Sequence, residues 1–229
     1  MTYGKIKITK MKKIIAFSLW GTDPKYTVGA IRNADLLKKI YPGWTARFYC
    51  GTSVPKDIVK YIEYKENCEV ILMDEPGDWR GMFWRFYPAS EDDVEVMLSR
   101  DTDSRLNMRE KYAVDEWLKS KKLFHIMRDH PWHGTEILGG MWGVRGDILK
   151  DMKDMIDKYI KGNFWQVDQN FLKEHIYNRI KDDCFVHDSY HNYESFKKPF
   201  PEKRIGQEFV GEAFDENETP NIQHRSMIR

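Results

Sequence analysis

The 229 residues carry 37 basic and 36 acidic side chains, a formal net charge of +1, so no strong overall field draws the chain toward nucleic acid or anionic lipid. With 41% hydrophobic and 14% aromatic residues, including eight Trp, it can bury a sizeable core, which excludes disorder throughout. Cys50, Cys68 and Cys184 are odd in number, widely spaced and without C-x-x-C, which argues against a disulfide framework or zinc knuckle and favours a reducing compartment.

Residues 1–12 read as a polar leader, 13–200 as one α/β domain undivided by any linker, and 201–229 as a polar tail. Lys12-Lys13 ahead of the apolar run 14–20 imitates a signal peptide. That run is short and enters Gly21-Thr22-Asp23-Pro24 without a cleavage site, so a first strand is expected at 14–19. No segment has the length and apolarity of a membrane span, and a cytoplasmic protein is expected. Ile31, Ala34, Leu37 and Ile40 mark a helix face that stops at Pro42-Gly43. A second strand follows at 46–50. Ser53 is the expected cap of a helix with Pro55 in its first turn and Ile58, Val59 and Ile62 inward. A third strand is expected at 70–73, an aromatic-rich connection at 78–90, and a fourth strand leading into Asp101. Four strands with intervening crossovers predict a mostly parallel, doubly wound sheet flanked by helices.

Beyond Asp101, Asn107 caps a helix, Glu110 completes a capping box, and Ala113, Val114, Trp117 and Leu118 form the buried stripe. A short strand is expected at 123–127. Residues 128–146 are dense in Gly, Trp and His without helical period, which suits a loop-built pocket. Helices are expected from Asp147, using Leu149, Met152, Ile156 and Tyr159, and at 167–180, with Phe171, Leu172 and Ile176 inward.

The chemistry concentrates at Asp101-Thr102-Asp103, directly after the fourth apolar run. In open α/β sheets ligands bind beyond the carboxyl ends of strands. Carboxylates at i and i+2 of an extended segment share a side and can hold a hard divalent cation together with phosphate oxygens. Alone, the tripeptide also fits a solvated turn. Its surroundings add Leu19-Trp20-Gly21, Trp84-Arg85-Phe86, Arg100 to Arg105, Arg128-Asp129-His130-Pro131, Gly139-Gly140-Met141-Trp142-Gly143, Asp168-Gln169 and Val186-His187-Asp188. In this order the motifs resemble the GT-A-type glycosyltransferases, in particular a small single-domain group of large DNA viruses and some bacteria that includes chlorovirus capsid-glycosylating domains.

That resemblance implies a GT-A fold and a metal-dependent glycosyltransferase. The sugar would pass from a nucleotide-diphosphate sugar, expected to be a UDP-sugar, to a glycan or glycoprotein acceptor. It implies Mn²⁺ or Mg²⁺ on Asp101, Asp103 and His187, with His191 the competing ligand, and Mn²⁺ is the better match for an imidazole beside carboxylates. Trp20, Gly21 and Thr22 would meet the base and ribose, although an aromatic after a strand also serves as core. Arg85, Arg100 and Arg105 are candidates for phosphates or donor hydroxyls, Arg85 foremost because its aromatic neighbours imply burial. Gly139-Gly140 either let backbone approach the donor or form an ordinary turn. Asp168, with Gln169 beside it, is the expected catalytic carboxylate, against a plain helix cap, and Asp129, His130 or His133 could supply a base near the acceptor. Two other classes remain open: a metal-dependent phosphohydrolase, and a non-catalytic glycan or nucleotide-sugar binding module.

Overall fold

Alternation of inward residues along the first strand decides which face of the sheet meets which helices. In the computed structural model, which describes residues 11–159 and 161–228, β1 (Lys12–Leu19) sends Ile14 and Ala16 to one side and Ile15, Phe17 and Leu19 to the other. The second side packs on α1 (Pro24–Ile40), α2 (Lys56–Glu63) and α3 (Met108–Lys119) through Ala30, Leu37, Ile62 and Trp117. The first side packs on a 3₁₀ stretch, Trp79–Ser90, on α4 (Met152–Lys158) and on α5 (Val167–Phe171) through Phe83, Trp84, Ile156 and Phe171. The expected leader lies outside the described residues up to position 10; Lys12 already belongs to β1.

The sheet has seven strands: β2 (Thr45–Cys50), β3 (Cys68–Leu72), β4 (Val94–Ser99), β5 (Phe124–Arg128), β6 (Trp142–Arg145) and β7 (Cys184–Asp188) join β1 in the order β3-β2-β1-β4-β6-β5-β7. Pairing is parallel except for β6, which runs antiparallel to both β4 and β5. The mostly parallel α/β sheet is therefore present, with one reversed strand inside the segment 128–146 expected as a loop. The signal was there, because Trp142 and Val144 alternate with Gly143 and Arg145. Strand β7 was likewise noticed only as a motif.

Local expectations are corrected at three points. Pro55, not Ser53, occupies the cap position of α2, with no side-chain bond to the helix, and Ser53 Oγ instead accepts from Gly21 N at 2.7 Å while donating to the Pro76 carbonyl, tying down the turn after β1. Asn107 does cap α3, accepting from Glu110 N at 2.9 Å. Glu110 does not close a capping box: its carboxylate is buried and takes Arg100 Nε at 2.7 Å and the Tyr41 hydroxyl at 2.8 Å. Residues 201–228 are no loose tail. Phe209, Val210 and Ile228 are buried, Ala213 bridges Ser104, and Phe214 N donates to Asp103 O at 2.9 Å. Hidden hydrophobics, spaced too far apart to show a period, anchor this polar segment over the carboxyl end of β4, and α6 (Ile222–Ser226) lies near its end.

Candidate active site

Strand order turns back between β1 and β4, whose carboxyl ends lie side by side, and the crevice formed at such a switch is where open α/β sheets bind ligands. A cavity of about 400 Å³ opens there. Its walls come from Trp20 to Asp23 after β1, Asp101 to Asp103 after β4, Leu138 to Met141 before β6, Trp165 to Asp168 entering α5, and Gly211 from the C-terminal segment. Sites separated by more than a hundred residues in sequence thus share one volume, which is within the ordinary size of a small-molecule pocket.

The floor of the cavity is an ionic cluster. Arg85, buried in the 3₁₀ stretch, donates one guanidinium nitrogen to Asp101 and the other to Asp168 Oδ2 at 2.8 Å. Burial opposes its charge, and the two carboxylates more than restore it, so Arg85 is held above the ordinary arginine range. Asp168 is almost fully covered, and its desolvation raises the carboxyl above the usual range despite the opposing pull of Arg85. It is not the helix cap. Gln166, with φ 71°, holds that position, and Asp168 sits in the first turn with Oδ1 accepting from Gln169 N at 2.8 Å.

Gly139 and Gly140 are compelled by this cluster. A Cβ at Gly139 would land on the Asp168 carboxylate and the Arg85 guanidinium, and one at Gly140 on the Asp101 carboxylate. Neither glycine has a positive φ, so close approach of backbone to charged side chains, not turn geometry, selects them. Ser99 Oγ donates to the Gly139 carbonyl at 2.6 Å and holds the segment against β4.

Asp103 faces the same cavity and pairs with Lys25 Nζ at 2.6 Å. Desolvation and the charge of Asp101 raise its pKa, while Lys25 works against them. Each of the two carboxylates therefore already draws a cationic group of the protein. Two hard oxygen donors open to a cavity suit a divalent ion that completes its shell with water and phosphate oxygens. Among the described residues no group of three or more His, Cys, Asp or Glu is arranged to hold a metal.

His187 does not join Asp101 and Asp103. Its side chain is fully buried, with Nδ1 2.8 Å from His125 Nε2 and Nε2 3.3 Å from Glu116, away from the cavity walls. Burial drives it down to about 4, so it is a neutral core imidazole and not the third ligand of Asp101 and Asp103. His191 does not reach the cavity either; its Nε2 lies 3.3 Å from the His130 carbonyl. With no imidazole in the set, the preference for Mn²⁺ over Mg²⁺ loses its basis.

Further expectations are corrected. Arg100 is consumed inside the fold by Glu110 and the Ser99 and Trp142 carbonyls, and Arg105 pairs with Glu218 at 2.8 Å. Asp129 is no catalytic group: fully buried, it accepts from Arg109, Arg204, Ser189 and the backbone of Val210. Burial alone would raise its pKa, yet these donors, Arg109 foremost, hold it below the usual range. His130 has both ring nitrogens engaged, by Trp132 N at 3.0 Å and the His224 carbonyl at 2.9 Å. His133 does line the cavity, but Nδ1 accepts from Asp129 N at 3.1 Å, which leaves Nε2–H as a donor. Burial and the neighbouring His130 push it down to about 3, so it is neutral. Trp20, Gly21, Thr22, Arg85, Asp101, Asp103, Gly139, Gly140, Asp168 and Gln169 are brought together at the cavity as expected. Tyr26, Trp79, Met82, Trp165, Gln166 and Gly211 line it too and were not expected. Only the fold reveals the last, whereas exposed Trp165 so close to Asp168 was a readable signal.

The architecture has a known counterpart. Over 77% of this chain and 81% of the other, it matches a glycosyltransferase involved in the glycosylation of the major capsid of PBCV-1, with TM-score 0.53 and 19% identity. Looser likenesses are the galactosyltransferase LgtC in complex with donor and acceptor sugar analogues (TM-score 0.48, 13% identity, 76% and 73% of the two chains) and 4-diphosphocytidyl-2C-methyl-D-erythritol synthase from Anaerococcus prevotii (0.48, 14%, 82% and 90%). No family model matches the sequence, and no curated protein is a significant match. The first likeness establishes a GT-A-like fold, in agreement with the motif order. Among the described residues no helix is long and apolar enough to cross a membrane.

Proposed function

We propose that this chain is a metal-dependent glycosyltransferase that moves a sugar from a nucleoside-diphosphate sugar, a UDP-sugar by preference, to a glycan or glycoprotein acceptor. The observation that carries this reading is the convergence of Asp101, Asp103 and the Arg85–Asp168 pair on one cavity at the strand-order switch, with two glycines cut to fit the carboxylates. Such a cavity accommodates base and ribose against the turn after β1, where Trp20 and Tyr26 offer ring faces.

Asp101 and Asp103 are the residues that would hold Mg²⁺ or Mn²⁺, and the ion would supply Lewis-acid neutralisation of charge on the departing diphosphate. Lys25 and Arg85, both already cationic at this edge, lie where they can exchange a carboxylate partner for a phosphate oxygen. Asp168 faces the cavity from a nearly dry position and is fixed at both oxygens, by Arg85 and by Gln169 N. A group so oriented is suited to the reacting sugar, whether it positions a hydroxyl or accepts a proton. Gln169 adds an amide for hydroxyl recognition, and the C-terminal segment, through Gly211, closes the cavity on the Met141 side.

The test is product analysis with UDP-sugars and GDP-sugars, with Mg²⁺ or Mn²⁺ added or withheld. Metal-stimulated release of nucleoside diphosphate supports transfer. Release of inorganic phosphate would make the protein a phosphohydrolase, and nucleotide binding without turnover would make it a binding module.

A further inference from the structure

We propose that Trp165 and Trp79 form a carbohydrate clamp at the mouth of the cavity, taking the terminal ring of the acceptor glycan; the word acceptor rests on the function proposed above, and the saccharide chemistry does not. Trp165 is 64% exposed and Trp79 42%, and both line the cavity. Other large hydrophobics of the chain are exposed too, Trp132 among them, but these two indoles share one cavity, and apolar surface grouped in this way marks a binding site.

They are built into place from different parts of the chain. Trp79 opens the 3₁₀ stretch behind its cap Asp78 and is braced edge-on by Trp20, with ring centres 6.4 Å apart. Asn163 Nδ2 donates to the same Asp78 at 3.0 Å, so the segment that ends in Trp165 is tied to the segment that presents Trp79. Gln166 follows in the left-handed region at φ 71°, which a residue other than glycine adopts only where its surroundings demand it. That turn feeds straight into α5, placing Trp165 three residues ahead of the buried Asp168.

The chemistry fits a pyranose. One face of such a ring is a layer of C–H groups that packs on the electron-rich face of an indole, while its hydroxyls need hydrogen-bond partners at the edge. Gln166, Gln169 and the Nε2–H of His133 supply amide and imidazole groups in the same cavity. Tyr26, on α1 beside Lys25, leaves the base of a nucleotide a ring outside the Trp79–Trp165 pair.

Trp165→Ala, Trp165→Phe and Trp79→Ala should be compared with the wild type in two separate assays. Saturation-transfer NMR with the methyl glycosides of glucose, galactose, mannose and xylose reads saccharide binding without turnover, and calorimetry with UDP and Mn²⁺ reads the nucleotide end. The expected result is binding of at least one glycoside through its ring C–H groups, weakened about tenfold by Trp165→Ala. Trp165→Phe should retain most of it, and UDP affinity should stay within about twofold, the ordinary spread for an untouched site. Glycoside binding by Trp165→Ala equal to wild type, no glycoside binding by the wild type, or loss of UDP affinity in Trp165→Ala would each overturn the clamp. Glycoside binding that depends on Trp165, in a protein that binds no nucleotide, would uphold the clamp and remove the transferase reading.

Discussion

The half of the sheet built from β1 to β4 and the half built from β5 to β7 treat the carboxylates that end their strands in opposite ways. In the first, Asp101, Asp103 and Arg85 end at a cavity, and Asp101 keeps 43% of its side chain open. In the second, Asp129, Arg128, Asp188 and His187 are fully or almost fully covered and consumed by one another or by nearby elements. A charge facing a cavity is available to a ligand, whereas a buried, fully paired charge fixes the fold and is expensive to disturb. Both sets looked alike as motifs, because acidic residues and histidines follow strands in each half.

The contrast is broken most directly at Asp103. Asp103→Ala is expected to lower metal-dependent transfer by about a hundredfold or more, the scale of losing an electrostatic stabiliser, while the melting temperature stays near that of the wild type. Unchanged turnover at saturating Mn²⁺ or Mg²⁺ would place the reaction elsewhere. Asp129→Ala should do the reverse and cost about 3 kcal/mol in urea unfolding, because Arg109 and Arg204 lose their buried acceptor. A variant as stable as wild type would show that the cluster is incidental.

Asp168→Asn should keep nucleotide binding and lose transfer, seen as a fall in kcat with little change in donor KM. Normal kcat would reduce Asp168 to a partner of Arg85. Acidification sharpens the same comparison. The folded Asp129 sits below its ordinary value of about 3.9, so its stabilisation is fully present above that pH and is lost as pH falls through the folded pKa. Stability measured from pH 5 downward should therefore fall less steeply in Asp129→Asn than in wild type. The smallest effect is expected from His187→Gln, with the metal response of turnover within about twofold of wild type, as for a residue remote from the site. A shift of metal affinity by tenfold would return His187 to the ligand set.

The fold was legible wherever a signal is local. The apolar runs of β1, β2, β3 and β4, the stripe of α1 and the Asn107 cap depend on neighbours within a few residues, and all were found. So was the cavity floor, because Asp101 and Asp103 lie at a strand end and Arg85 sits among aromatics that bury it. What escaped depends on distance in sequence. Strand β6 is short and reversed, and its Gly-rich context hid its alternation. His187 and Asp129 could not be sorted from ligands and bases, since the partners that claim them, Glu116 and His125 or Arg109 and Arg204, come from other elements. The segment 201–228 read as polar because its anchors, Phe209, Val210 and Ile228, are few.

On the function proposed above, Asp101 and Asp103 make this cavity a metal-dependent nucleotide site. Calorimetric titration of the metal-free protein with UDP, GDP and their sugars, with and without Mn²⁺ or Mg²⁺, tests it most directly, with Asp103→Asn as the control. The account predicts binding of one nucleotide class only when metal is present, and its loss in Asp103→Asn. Equal binding with and without metal, or binding that survives Asp103→Asn, would contradict it.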